Sequence, residues 1–362
     1  MIVLILISII SLLFSFLYST GKFDSGLKLS FLVIIVFTSI RHDIGNDYWS
    51  YFDRFEYYVQ SFTLQDIYNS SYNIKEVGWI FLNLLCAPLG WHFLIALVTI
   101  ITQFSFYLFI KNYTPRKWAW IAMFIYLFNP MYFLLSLSML RQGLSIALFL
   151  YAYPFIEKKR IIPSSILIIL AISIHHSAII LLPIFIISFL NLKNGHLFSL
   201  AFLSIFLVTF IFKDITNNIL MTVLNSSEYI SDYSNYIGGG TNTFGVGTLL
   251  SMIPFAICLL YISNKSISTT DRLQAIICTT GTLTIPFEDI IPLLSRVTLY
   301  FSCFTLCVIP KSYCNIVHNK IIRNAFLFIY IITCIYRYLD FWSPNSVYYD
   351  YFSTYHTIFE LL

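Results

Sequence analysis

Residues 1–18 read MIVLILISIISLLFSFLY, a run of apolar and hydroxyl side chains that carries no charge. A helix needs roughly 17 to 20 such residues to cross the hydrocarbon core of a bilayer. Because no basic residue precedes the apolar run and no small-residue cleavage site follows it, the sequence predicts a retained first span and not a removable signal peptide. A membrane fold follows from this stretch, and the rest of the chain extends the pattern.

The composition of the whole chain agrees with a membrane environment. Of 362 residues, 58% are hydrophobic and only 10% are charged, whereas an ordinary soluble domain is about 25% charged. The mean hydropathy is +0.80. These values exclude a soluble enzyme, a nucleic-acid-binding protein and a disordered chain. The formal net charge of +4 is too small and too scattered for a polyanion-binding patch, so no nucleic-acid partner is expected.

Twelve apolar runs predict the architecture. They cover 2–18, 29–40, 91–110, 118–138, 143–156, 161–174, 178–190, 197–212, 248–263, 273–286, 297–310 and 322–338. Residues 77–90 are predicted to be interfacial or re-entrant, because Pro88 and Gly90 end this run too early to span. The predicted fold class is therefore all-α: a polytopic integral membrane protein, 1–362 forming one membrane domain, with about 10–12 transmembrane or re-entrant helices and two sizeable external loops.

The distribution of basic residues predicts the orientation. When the loops alternate sides, the 21 Lys and Arg residues divide 14 to 7 between the two faces. Since loops rich in Lys and Arg face the cytoplasm, the poorer set is predicted to be external. That set contains the first external loop at 41–76, the second external loop at 213–247 and an external C-terminal tail at 339–362. Ionisable residues beside the apolar runs gather on this predicted external side, which indicates a single water-accessible cavity there.

The first group of candidate residues follows the second apolar run, where residues 41–48 read RHDIGNDY. Gly45 allows a tight turn just outside the bilayer. Arg41 can hold a phosphate while Asp43 and Asp47 orient it, with Tyr48 beside them. The alternative is a snorkelling arginine with solvated aspartate partners.

Two further groups lie between apolar runs. Arg141, followed by Gln142, has no acidic neighbour in the sequence, and an unpaired guanidinium there indicates anion binding; the alternative is a buried ion pair with an acid from elsewhere. His175 and His176 suit proton transfer near neutral pH. Adjacent histidines point in different directions on a helix, so one is expected to do the chemistry and the other to pack or cap, unless both are structural.

A fourth group comprises Glu288 and Asp289 with Arg296. Glu288 is a candidate general base or sugar ligand and Arg296 a second phosphate ligand, or the two simply pair with each other. The sequence contains no P-loop, no dinucleotide-binding motif and no metal-ligand spacing, so neither a cofactor nor a metal is expected. No predicted cytoplasmic segment is large enough to bind a nucleotide sugar. A substrate would have to be already activated and lie in or beside the membrane.

These motifs, taken in order, resemble the EpsG-like, Wzy-type polysaccharide polymerases. Residues 41–52 (RHDIGNDYWSYF) are similar to the R-x-D-x-G-x-D-Y-x-x-Y signature of that family. The resemblance continues at Glu76-Val77-Gly78-Trp79, at Leu140-Arg141-Gln142, at Ile174-His175-His176-Ser177-Ala178, at Ser295–Phe301 and in the Tyr-rich stretch 345–352. No single element is specific, but their order along nearly the whole chain is.

The resemblance implies a polymerase of O-antigen or a related surface polysaccharide in the bacterial inner membrane. Its substrates would be oligosaccharide repeat units on undecaprenyl pyrophosphate, joined at the periplasmic face by transfer of the growing chain to the non-reducing end of a new unit. A chain-length regulator of the polysaccharide co-polymerase type is the expected partner, besides membrane lipid. The predicted proton-transfer residues are His176, His175, Asp43 and Glu288; the predicted pyrophosphate or substrate ligands are Arg41, Asp47, Tyr48, Glu76, Arg141, Gln142 and Arg296. The alternatives are an O-antigen ligase and a lipid-linked oligosaccharide flippase.

Overall fold

The computed structural model describes the chain except at residues 64, 67–75, 191, 213–214, 216–221, 223–245, 289–292, 316–319 and 362. The described residues form two compact units, one made of Met1–Phe185 with Cys334–Leu362 and the other of Ile186–Thr333. The regular structure of these residues is helical apart from two short strands. The prediction of an all-α membrane protein is therefore confirmed.

The elements follow one another along the chain. The first part contains α1 (Ile2–Ser19), α2 (Gly26–Ser39), β1 (Arg41–His42), α3 (Tyr48–Ser61), α4 (Val77–Cys86), α5 (Trp91–Tyr113), α6 (Ala119–Phe128), α7 (Phe133–Ser138), α8 (Leu140–Glu157), α9 (Ile161–Ile174) and a 3₁₀ helix at His176–Leu181. The remainder contains α10 (Leu182–Phe189), α11 (Gly195–Ile211), α12 (Val246–Ser263), α13 (Thr269–Thr284), α14 (Leu293–Ser302), α15 (Thr305–Asn315), α16 (Lys320–Phe341), α17 (Tyr349–Phe352) and β2 (His356–Thr357).

Three of the described helices are long and apolar enough to cross a bilayer, namely α1, α5 and the Arg323–Phe341 part of α16. A fourth candidate is the pair α14 and α15, whose axes meet at 53° across a short break. The shorter runs predicted from the sequence correspond to shorter apolar helices, among them α2, α9 and α11. The run at 77–90 ends early, as expected, because a 3₁₀ turn follows α4 and Gly90 has a φ of 83°.

Among the described residues, two of the predicted runs are not continuous helices: 297–310, which contains the bend between α14 and α15, and 118–138. Residues 118–138 were expected to form a single helix, but α6 ends at Phe128 and α7 begins only at Phe133. Asn129 adopts an extended conformation, with φ −99° and ψ 110°. Pro130 explains the break, since proline disfavours the helical conformation of the residue before it and lacks an N–H for the helix ladder.

Within the first unit, α8 packs against α9 and α5, while α3 rests on α4. The contact between α3 and its neighbours is aromatic: Tyr48, Tyr51 and Phe55 lie buried with Trp79 and Trp91. This cluster also includes Leu140 and Ile174, which are the first residue of α8 and the last of α9. The apolar side of α3 thus brings together the elements that carry most of the candidate residues.

The C-terminal tail is attached to the first loop. β1 and β2 pair antiparallel, with Arg41 opposite Thr357 and His42 opposite His356. The backbone N–H of Gly45 also donates to the carbonyl oxygen of Tyr351, at 3.1 Å. The loop after α2 and the C-terminal tail are therefore in direct contact. Their external location is a prediction from the charge distribution. The second predicted external loop, 213–247, falls almost wholly outside the described residues.

Candidate functional site

The carboxylate of Glu76 joins two groups that the sequence separates widely. Its Oε2 atom accepts a hydrogen bond from Nη1 of Arg141, and its Oε1 atom lies 2.7 Å from Nδ1 of His175. The same Oε1 atom accepts the backbone N–H of His176 at 3.3 Å. The side chains of Arg141, Glu76 and His175 are 20%, 13% and 4% exposed, so that of Arg141 is the most accessible of the three.

The backbone around Glu76 is shaped to make these contacts. Glu76 precedes α4 in the left-handed region, with φ 60° and ψ 48°, a conformation that is costly for a residue other than glycine and is concentrated at functional sites. Two residues later, Gly78 faces α9 so closely that a Cβ there would lie 3.0 Å from the carbonyl carbon of Ser173. Only glycine at position 78 lets α4 approach α9 closely enough for Glu76 to reach His175.

The electrostatics of the cluster favour an ionised carboxylate. Burial by itself raises the pKa of Glu76, but the hydrogen bond from His175 and the positive charge of Arg141 outweigh burial and lower the pKa to about 2. Glu76 is thus a permanent anion at neutral pH. It is a poor proton acceptor, and it acts as a fixed negative charge between a guanidinium and an imidazole.

The ring of Tyr51 packs against the guanidinium of Arg141. The Arg141 guanidinium lies over the Tyr51 ring, 5.4 Å from its centroid, and Nε is 3.5 Å from the phenol oxygen. Tyr51 in turn meets Trp79 edge-on at a centroid distance of 5.7 Å. Aromatic faces attract cations, and the packing limits the positions that the guanidinium can take. Sequence reasoning did not select Tyr51 as a site residue, although it is the last tyrosine of the 41–52 signature and lies one helical turn after Tyr48.

The glycine loop of residues 43–47 lies against the residues just before Arg141. Gly45 has φ 107°, and a Cβ there would lie 3.1 Å from Cα of Ser138. Ser138 donates its hydroxyl to Oδ1 of Asn46 at 2.5 Å. Two of the motifs singled out in the sequence, at 41–48 and 138–143, are therefore in direct contact.

Comparison with known protein families shows that the model of the EpsG family matches residues 27–357. The chain belongs to the EpsG family. This is a family of Wzy-like polymerases, associated with bacterial membranes. No curated protein and no solved structure is detectably similar to the chain. The expected resemblance is thus confirmed at the level of the family.

Arg41 and Arg141, the two predicted arginine ligands in the first unit of this EpsG-family protein, differ in burial and in their partners. Arg41 is 1% exposed, and its guanidinium donates to Thr38 O at 2.5 Å, to Thr99 Oγ1 at 2.8 Å and to Leu137 O at 3.3 Å. This burial contradicts the snorkelling alternative. Desolvation lowers the pKa of Arg41 to about 10. In the conformation observed here, its donors serve protein oxygens that tie the loop to α2, α5 and α7.

The pairing of Arg141 corrects a second expectation. The guanidinium was predicted to be unpaired because no acid lies near it in the sequence, and Glu76 supplies one from 65 residues away. The guanidinium is therefore paired in the structure, and anion binding by Arg141 stays a prediction. Its side chain is 20% exposed, which leaves it partly accessible to a ligand.

The other predicted residues of the first unit differ in burial. Asp43 is exposed, with φ 51°, and Asp47 is half-buried before α3. Tyr48 is buried, with its hydroxyl oxygen 3.0 Å from Nδ1 of His42, whose ring also contacts His92. Gln142 is buried within α8. His42 and His92 are not among the predicted site residues, because no charge pattern in the sequence distinguishes them.

The remaining predicted residues lie in the second unit. Glu288 is half-buried after the 3₁₀ turn Ile285–Phe287, and its backbone N–H donates to Ile285 O at 3.2 Å. Arg296 is half-buried in α14, and Asp289 lies outside the described residues. Among the described residues no group of three or more His, Cys, Asp or Glu side chains is arranged to hold a metal ion.

Proposed function

We propose that this protein polymerises oligosaccharide repeat units carried on undecaprenyl pyrophosphate. The growing chain would be transferred from its lipid carrier to the non-reducing end of a new lipid-linked unit, at the periplasmic face of the bacterial inner membrane. Membership of the EpsG family supports the polymerase activity. The predicted sidedness of the basic loops supports the orientation, and a co-polymerase that sets chain length is the proposed partner.

The observation that carries the proposal is the Arg141, Glu76 and His175 cluster. It places a partly exposed arginine side chain and a histidine pair around one carboxylate. Arginine matches the oxygens of a diphosphate with a planar fork of donors. A guanidinium can stabilise the leaving group and an imidazole can accept the proton of the acceptor hydroxyl, which are two functions that this transfer uses.

The reaction is a substitution at the anomeric carbon of the donor sugar. The acceptor hydroxyl oxygen forms the new glycosidic bond and gives its proton to a histidine of the pair. The bond from the anomeric carbon to the diphosphate oxygen breaks, and its electron pair leaves with undecaprenyl pyrophosphate. Arg141 stabilises the negative charge that develops on that leaving group. The donor is already activated, so the reaction requires no nucleotide.

The proposal is tested by Arg141→Ala in the source bacterium, with surface polysaccharide displayed on a gel. Loss of one donor that stabilises the transition state costs about 10²–10³-fold in rate, so the polymer ladder should disappear while single repeat units remain. Arg116→Ala is the matched control, because Arg116 is an exposed arginine paired with exposed Asp24. A full ladder in the Arg141→Ala strain contradicts the proposal.

The same gel distinguishes a polymerase from a flippase and from a ligase. A flippase defect removes the external substrate, so no repeat units would reach the surface in the Arg141→Ala strain. A ligase defect leaves finished polymer on undecaprenyl pyrophosphate instead of on its final acceptor. Retention of single units without polymer distinguishes the polymerase from both.

A further inference from the structure

The two adjacent histidines occupy opposite environments. His175 ends α9 in an extended conformation, with φ −146° and ψ 115°, and is 3% exposed. His176 begins the following 3₁₀ helix and is exposed. A single atom, Oε1 of Glu76, binds the ring of His175 and the backbone N–H of His176. The chain therefore turns at this point with one imidazole facing inward and the other facing outward.

We propose that Glu76 is a positioning residue that gives the two histidines different roles: His175 anchors the carboxylate from inside the protein, and His176 is the base that takes the proton of the acceptor hydroxyl. This inference rests on the proposed function. It deepens that function by assigning the proton-transfer step, for which the sequence offers four candidates: His175, His176, Asp43 and Glu288.

Access and hydrogen bonding separate the two imidazoles. A general base must come within hydrogen-bond distance of the substrate proton, and the His175 ring is buried with Nδ1 engaged by Glu76. A ring nitrogen that lies against an ionised carboxylate carries its proton there, which fixes the tautomer and orientation of the ring. His175 is thereby suited to hold Glu76 in place, whereas His176 is accessible from outside.

The same carboxylate brings the proposed base close to the proposed diphosphate ligand. Arg141 binds one oxygen of Glu76 and the backbone of His176 binds the other. With the His176 main chain and Arg141 held at the two oxygens of one carboxylate, an acceptor hydroxyl at the His176 ring would be brought near a diphosphate held by Arg141. Alignment of acceptor, anomeric carbon and leaving group in this way accounts for much of the rate of a transfer reaction.

The glycosyl transfer with His176 as base requires no further reactant. The neutral His176 ring accepts the hydroxyl proton as the acceptor oxygen bonds to the anomeric carbon. Undecaprenyl pyrophosphate leaves with the electron pair of the broken bond, and the protonated His176 returns its proton to water before the next cycle. Glu76 keeps its charge throughout, and His175 keeps its hydrogen bond to Glu76.

The test compares His176→Gln with His175→Gln in the full-length protein. Each variant is reconstituted in proteoliposomes with lipid-linked repeat units extracted from a strain that lacks the protein. Polymer formation is measured between about pH 5.5 and 8.5, a range that covers the titration of an ordinary histidine at about 6.5. Among the described residues, the charged or titratable groups placed around the Glu76 carboxylate, which binds the His176 backbone, are Arg141, His175, Tyr51 and Tyr58.

In the wild type the turnover rate should fall at the acidic end of this range, because a protonated imidazole cannot accept the hydroxyl proton. His176→Gln should lower kcat by about 10²-fold or more, remove this acidic limb and leave the apparent KM for the lipid-linked unit little changed. His175→Gln should keep the acidic limb at a reduced rate. If His175→Gln removes the limb while His176→Gln retains it, the assignment is overturned and the polymerase remains.

If His175→Gln does not fold, variants of Glu76 provide a second test of its positioning role. Glu76→Gln keeps an oxygen that can accept from both histidine residues, whereas Glu76→Ala does not. The Gln variant should therefore retain the acidic limb and more activity than the Ala variant. Equal and full activity of both contradicts a positioning role. A wild-type protein that joins no repeat units in this assay contradicts the proposed function itself.

Discussion

Glu76 and His175 are 99 residues apart in the sequence and are joined by a hydrogen bond of 2.7 Å. This hydrogen bond links the residue that precedes α4 to the residue that follows α9. Arg141 binds the other oxygen of the Glu76 carboxylate. The contacts among α4, α8 and α9 therefore depend on whether this carboxylate is ionised.

The first prediction concerns acid stability. The pKa of Glu76 is lowered from its ordinary 4.5 to about 2, so the ionised form stabilises the folded state. This contribution, at most about 3 kcal/mol, is complete above about pH 4.5 and is lost as the pH falls toward 2. The Tm of the purified protein in detergent should therefore exceed that of Glu76→Gln at pH 7, and the difference should shrink between pH 4.5 and 2. A constant difference across this range contradicts the prediction.

A second prediction concerns the approach of α4 to α9. Gly78→Ala places a methyl group 3.0 Å from the carbonyl carbon of Ser173, so α4 must move away and Glu76 must withdraw from His175. We expect loss of polymer formation and a lower Tm. Gly143→Ala is the control, because its methyl group meets nothing closer than 3.8 Å and alanine favours a helix by about 1 kcal/mol. Equal behaviour of the two variants is the contrary result.

The third prediction compares two glycines. One is required both by its positive φ and by the lack of space for a side chain, and the other by its positive φ alone. Gly45 has φ 107° and lies against Ser138, while Gly21 has φ 76° and open space, with nothing within 4 Å of where an added Cβ would lie. Gly21→Ala should cost about 1–2 kcal/mol from the left-handed conformation. Gly45→Ala should cost more, because the 43–47 loop must also separate from Ser138. Thermal unfolding of both variants in one detergent gives the comparison, and an equal loss of Tm contradicts the prediction.

A fourth prediction contrasts the two arginines. Arg41 is buried with three oxygen partners, so Arg41→Met leaves those oxygens without a donor and should destabilise the protein by about 3 kcal/mol or more. Arg141→Met should lower Tm less, because its side chain is 20% exposed, yet abolish the polymer ladder. Measurement of Tm and polymer for both variants separates a structural from a functional arginine. A reversal of the two Tm losses contradicts this division.

Much of the fold could be predicted from hydropathy. The run at 2–18 forms α1 and the run at 91–110 lies within α5, since an uncharged stretch of that length has few alternatives to a helix. Helix ends were less predictable. The break after Phe128 depends on Asn129 and Pro130 within a run whose mean hydropathy remains high, and the bend between α14 and α15 leaves no comparable mark in the composition.

The sequence by itself determined the chemistry available: a membrane fold, two arginines beside apolar runs, a histidine pair and the ordered motifs of the EpsG family. Only the tertiary structure decided how these groups are used. Arg41 and Arg141 look alike in sequence, but one is enclosed by protein oxygens and the other pairs with Glu76 while staying partly exposed. The physical reason is that burial and pairing depend on which distant backbone comes close, as Gly78 allows at Ser173, and no local pattern encodes that distance.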